Sequence, residues 1–145
     1  MNPILAIDFG RARIGVAVSD ELQLLAHPLE TIAANERSIA RVAEIVRERN
    51  VDHVVVGIPR QLSGKIGAAA TEALRFAEKL RAILPCPVVA WDERLTTIAA
   101  HRALREAGKR TRATRHYIDQ VAAQMILQGY LDRRQHTAHA EEMSR

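Results

Sequence analysis

PILAIDFGRARIGVAVSD, residues 3–20, is the stretch that decides the fold. Residues 3–9 are apolar and β-prone and stop at Gly10, and residues 14–19, IGVAVS, form a second such run closed by Ser19-Asp20. The joint between them, Gly10-Arg11-Ala12-Arg13, is short enough for a hairpin. A third strand is expected within 23–32, QLLAHPLETI, where Pro28 restricts it to a sheet edge or a bulge. The chain therefore opens on an antiparallel meander.

Beyond it the period changes. Ile39, Val42, Ala43 and Val46 recur at helical spacing, with Arg41, Glu44, Arg47 and Glu48 opposite them and Asn35 as the expected N-cap. Residues 53–58, HVVVGI, are a continuous apolar run, the pattern of a strand covered on both faces. Ala73, Phe76, Ala77, Leu80 and Leu84 mark a second helix, and residues 88–91, VVAW, a last strand. A helix over about 95–107 is expected to end at Gly108, and a final helix to run over about 115–133. The order βββαβαβαα predicts an α/β domain over 1–134. Its mixed five-stranded sheet, a meander plus parallel strands, is flanked by helices. The polar residues 135–145 read as a disordered tail.

Composition narrows the function classes. The 145 residues suit one domain and bury a core without staples. A single cysteine, Cys86, excludes an internal disulfide and a thiolate zinc cage and points to a reducing cytoplasm. Neither a membrane span nor a secretory leader is expected. The net charge of +4 favours a polyanionic partner, while 3% aromatic content argues against a stacking platform for bases, so the grip should fall on the backbone.

Three acids break the apolar pattern. Asp8 ends the first strand, where ligands of open α/β sheets gather. Glu93 follows the last strand beside its competitor Asp92, and either could point into a cleft there. Asp119 lies within an otherwise apolar helix beside Ala122, Ala123 and Ile126, and so must pair with a basic residue or hold a cation. If the three converge, hard divalent ions such as magnesium fit them, and a pair of ions is the arrangement that cleaves phosphodiesters. Basic residues flank these acids: Arg11 and Arg13, Arg60 and Lys65, Arg94, and the run Lys109, Arg110, Arg112, Arg115 and His116. Cations so placed position a phosphate backbone.

Four segments then come together: DFGRARIGVAVSD (8–20), VVVGIPRQLSGKIG (54–67), WDERLTTIAA (91–100) and IDQVAAQMILQGYL (118–131). In this order they resemble the YqgF/RuvX family, similar to the RuvC Holliday-junction resolvases, over residues 3–132. The resemblance implies a ribonuclease H-like fold and a nuclease maturing the 5′ end of the pre-16S rRNA, with branched DNA as the other substrate. It also implies Asp8, Glu93 and Asp119 as the catalytic, metal-binding acidic triad; two Mg²⁺ or Mn²⁺ ions are expected there, and the chain is expected as a monomer or homodimer. It selects Glu93 over Asp92, although Glu93 must then reach across two strand spacings of ~4.8 Å.

Two other classes remain to be weighed. An actin-like or sugar-kinase ATPase needs two such domains, and Gly57 to Gly64-Lys65-Ile66 has neither the spacing nor the Ser/Thr of a P-loop. A non-catalytic RNA-binding assembly factor needs only the basic rim, and acids at such a rim repel RNA unless a cation neutralises them.

Overall fold

The computed structural model describes residues 1–60, 63–95 and 112–143, with residues 112–116 described as helix backbone. Strands β1 (Ile4–Phe9), β2 (Arg13–Ser19) and β3 (Ala26–Ala33) form the expected meander. Helix α1 (Ser38–Arg49) leads to β4 (His53–Ile58), and α2 (Ala68–Ile83) leads to β5 (Val88–Asp92). A 3₁₀ turn over Glu93–Leu95 follows, and α3 spans Arg112–Met143. The sheet order is β3-β2-β1-β4-β5, antiparallel through the meander and parallel from β1 through β4 to β5. This is the mixed five-stranded α/β architecture that the sequence predicts.

Alternation along the strands sends side chains to two cores. Leu5, Ile7, Val16, Val54 and Val56 meet α1 and α2 on one face. Ile4, Ala6, Ala17 and Val55 meet Ala123, Ile126, Leu127 and Leu131 of α3 on the other. Small residues at Ala122 and Ala123, both fully buried, let α3 lie close to the sheet. Each large apolar side chain buried there stabilises the fold by about 1.5–3 kcal/mol.

Glutamines at helical spacing tie α3 to the outer strand. Gln124 Nε2 donates to the Ala26 carbonyl at 3.0 Å, and Gln128 Oε1 accepts the Ala26 N–H at 2.9 Å. Gln128 Nε2 also donates to the Leu24 carbonyl at 3.1 Å, and Gln120 Nε2 to Thr31 Oγ1 at 3.3 Å. Pro28 behaves as its chemistry requires. It sits in the edge strand β3 next to a register shift, where Val16 pairs Glu30 and Ala17 pairs Pro28, leaving Leu29 over.

Several boundaries differ from expectation. Asn35 is not the N-cap of α1, because Arg37 takes that position. Asn35 instead builds the preceding turn, its Oδ1 accepting the Arg37 N–H at 2.8 Å. Helix α2 starts at Ala68, five residues before Ala73, the first residue of the expected apolar pattern, because its opening Ala68-Ala69-Ala70 is a strong helix former with Ala68 and Ala69 exposed. Residues 135–143, expected to be a disordered tail, continue α3 as an exposed helix. Extending a packed helix avoids the nucleation cost, and Ala138, Ala140, Glu141, Glu142 and Met143 are good helix formers. The helix expected over 95–107, with Gly108 as its stop, lies outside the described residues from 96 onward. Among the described residues no helix is long and apolar enough to cross a membrane.

Candidate active site

Asp8 is 4% exposed, on the last turn of the pleat before β1 ends. It shares the α3 face of the sheet with Ile4 and Ala6. Both neighbouring strands present glycine beside it. Asp8 pairs Gly15 of β2, and Gly57 of β4 stands one residue past Val56, the partner of Ile7. These two glycines make a shallow trough across three strands, with Asp8 in the middle.

The other two acids flank that trough, Asp119 by its backbone over Gly15 and Glu93 by its side chain over Gly57. A Cβ on Gly15 would stand 1.9 Å from the Asp119 carbonyl oxygen, so α3 crosses β2 backbone to backbone at this point. A Cβ on Gly57 would stand 3.2 Å from Glu93 Cγ and 2.7 Å from Ile126 Cδ1. Glu93 therefore spans the intervening strand β4 by lying over a residue with no side chain.

Asp92 does other work. Its Oδ1 accepts the Arg94 backbone N–H at 2.9 Å, and its carboxylate grips the Arg94 guanidinium, with Nη2 to Oδ2 at 2.6 Å. The Arg94 hydrogen bond holds the Asp92 carboxyl below the usual carboxylate range, against a smaller upward push from burial. Asp92 thus closes the turn that aims Glu93.

Asp119 is ion-paired. Arg13 Nε lies 2.7 Å from its Oδ2, with the two side chains one-third and one-sixth exposed. Of the two interactions the sequence left open for Asp119, this is the ion pair with a basic residue. Arg13 is two residues from Gly15 on the same strand face, diagonal to Asp8.

The predicted basic residues divide. Arg13, Arg60 and Arg94 stand near the acids. Arg60 follows β4, keeps a buried Nε with no hydrogen-bond partner, and helps lower the Asp92 pKa. Arg94 also faces Gly64, where a Cβ would be 3.3 Å from its Nη1. Lys65 is exposed in the adjoining loop. Arg11 turns to the opposite face and pairs with Glu72 of α2 at 3.1 Å. Lys109 and Arg110 lie outside the described residues, and Arg112 and Arg115 are placed as the first helical turns of α3.

Sequence reading passed over Gly15 and Gly57. Their signal was available, because a glycine inside a strand marks a close approach of another backbone or a ligand.

The sheet order β3-β2-β1-β4-β5, antiparallel through the meander and parallel beyond it, with a buried carboxylate at the C-terminal end of β1, is that of a ribonuclease H-like fold. The sequence pattern of the RuvX family (Holliday junction resolvase) matches residues 2–133, and the chain belongs to that family. A relative from Nocardia farcinica, named as a candidate pre-16S rRNA nuclease, is 50% identical over 139 residues, covering 90% of this chain and 77% of its own. One of the same name from Chloroflexus aggregans is 49% identical, covering 90% and 94%. Among solved structures, Thermus thermophilus RuvC in complex with a Holliday junction substrate superposes with a TM-score of 0.54 at 18% identity, covering 90% of this chain and 94% of that one. The fowlpox virus Holliday junction resolvase gives 0.50 at 16%, covering 90% and 98%. At such identities the last two likenesses concern the fold.

Proposed function

We propose that this protein is a metal-dependent nuclease that hydrolyses phosphodiester bonds at the 5′ end of the pre-16S rRNA. The observation that carries the reading is the row Gly15–Asp8–Gly57, which buries one carboxylate and clears its two flanks for Asp119 and Glu93. The relatives' names supply the substrate.

The donor set suits hard divalent ions, since all three side chains offer carboxylate oxygens. Among the described residues, no three ligating side chains are gathered into a ready cage. Magnesium does not need one, because it takes one or two carboxylates and completes its shell with waters and substrate phosphate. Asp8, Glu93 and Asp119 would hold a pair of Mg²⁺ or Mn²⁺ ions, which when bound activate a water and stabilise the leaving oxygen.

The protein's own groups do the rest. Asp8 is fixed by its strand and by burial. Glu93 is aimed by the Asp92–Arg94 clamp. Arg60 and Lys65, beside that clamp, would orient the phosphates flanking the scissile bond. Arg13 neutralises Asp119 until a cation does, so the carboxylates do not repel an approaching phosphate.

A second reading, a DNA junction resolvase, is favoured by the family's description. Purified protein with pre-16S rRNA and with a four-way DNA junction, each in magnesium, manganese or chelator, separates the two. Cutting of the RNA that requires metal and disappears in Asp8→Asn is the expected result. Cutting of the junction alone selects the resolvase. No cutting, with RNA binding that strengthens in Asp8→Asn, makes the protein a non-catalytic assembly factor.

A further inference from the structure

On the face of the sheet opposite the acids lies a cleft of about 500 Å³, walled by α1 and α2 and floored by Phe9. Asp8 and Phe9 are consecutive on β1 and so point to opposite faces at the same end of the strand. Only the short turn that joins β1 to β2 separates the cleft from the acidic trough.

The cleft has an aromatic and a cationic part. Phe9 and Phe76, the chain's two phenylalanines, pack with ring centroids 4.8 Å apart, Phe76 buried and Phe9 partly exposed. Arg11, Arg75 and Lys79 line the rim with Glu36 and Glu72. Arg11 and Glu72 neutralise each other. Arg75 and Lys79 stand one helical turn apart, are exposed, and make no ion pair with a described residue, which leaves the rim one positive charge in excess over Glu36.

An aromatic face beside free cations is the pattern that holds an unpaired nucleotide, the base stacked and the phosphate paired. Resting on the nucleic-acid reading above, we propose that this cleft is a subsite for the single-stranded part of the substrate. One unpaired base lies against Phe9, and the adjoining backbone is held by Arg75 and Lys79. The low aromatic content argued against a stacking platform spread over the surface. It does not argue against one site using both phenylalanines.

The test is fluorescence anisotropy in chelator with a labelled single-stranded RNA oligonucleotide, its duplex, and adenosine 5′-monophosphate as competitor. Arg75→Glu/Lys79→Glu is compared with Arg47→Glu/Arg49→Glu, an equal charge change on exposed residues at the far end of α1. The expected result is a loss of single-strand affinity of about tenfold or more in the first pair, with a smaller loss for the duplex and for the control pair. Phe9→Leu should weaken single-strand binding in the same direction, and thermal melts must show all variants folded. Equal losses in the two charge pairs, or a mononucleotide that binds as tightly as the oligonucleotide, overturn the subsite. Because no metal is present, failure here leaves the nuclease reading standing. Loss of cutting by wild-type protein would leave the subsite standing.

Discussion

Arg13 Nε and Asp119 Oδ2 stand 2.7 Å apart, a contact that joins the first residue of β2 to α3 across 106 positions of sequence. If Asp119 takes a metal ion, as proposed above, the guanidinium competes with it for the same carboxylate. Arg13→Gln should therefore tighten Mn²⁺ binding, by about fivefold or more, because a positive charge leaves the site. Calorimetric titration of apo-protein reads this directly, and unchanged or weaker affinity would show that the two cations do not compete. The partly exposed pair itself is worth only about 1 kcal/mol or less, so the variant should remain folded.

The two trough glycines should respond differently to a methyl group. In Gly15→Ala the new Cβ meets the Asp119 carbonyl at 1.9 Å, and backbone cannot step aside. A loss of about 3 kcal/mol or more is expected in urea unfolding, or failure to fold. In Gly57→Ala the nearest atom is the flexible end of Ile126 at 2.7 Å, so the loss should be about 1–2 kcal/mol. That variant should nevertheless lose cutting, because the methyl group also presses on Glu93. Equal destabilisation by the two alanines would contradict the geometry.

Acid should unlock two ion pairs. Glu30 is held low by its hydrogen bonds to Arg41, and Asp92 by those to Arg94. Both carboxylates bind protons less readily folded than unfolded, so their stabilisation is complete above the ordinary carboxylate range. It drains away as the pH falls from about 4 through the lowered folded values. Urea midpoints at pH 7, 4 and 2.5 should fall less steeply for Glu30→Gln than for wild type. Parallel curves would show that the Arg41 pair carries no pH dependence.

Buried His53 bridges Asp52, at 2.6 Å from Nδ1, and the Tyr130 hydroxyl, at 2.9 Å from Nε2. Tyr130 in turn packs edge-on against Trp91, with centroids 5.2 Å apart. Tyr130→Phe keeps the ring contact and removes one hydrogen bond from a buried imidazole, costing about 1–2 kcal/mol. Thermal unfolding checks this, and a neutral substitution would mean that the imidazole finds another partner.

The acids were legible because charge interrupts an apolar pattern that is itself easy to read. Asp8 follows Leu5-Ala6-Ile7, and Asp119 sits among Ile118, Ala122 and Ala123. Pro28 was legible for the same local reason, since a missing N–H permits few places in a sheet. What could not be read were relations between distant segments. Arg13 looked like a phosphate ligand because its partner is far away in sequence, and Arg11 looked like its twin although it lies in the turn between β1 and β2, outside the pleat that keeps i and i+2 on one face, and reaches Glu72 of α2 instead. Gly15 and Gly57 carry no side chain to reason from, and their meaning lies in what passes over them. The helical run of 135–143 depends on the packed turns before it, which composition alone does not weigh.

Helix α3 supplies Asp119 and the lid of the second core, and it is synthesised after every strand of the sheet. A growing chain can therefore pair β1 through β5 while Ile4, Ala6, Ala17 and Val55 still lie bare and the hydrogen-bonding groups of Ala26 still lack Gln124 and Gln128. Asp119 cannot come to lie over Gly15 until that helix leaves the ribosome. The order of residues along the chain thus acts as a timer that withholds the second core from every nascent copy until its last helix is made.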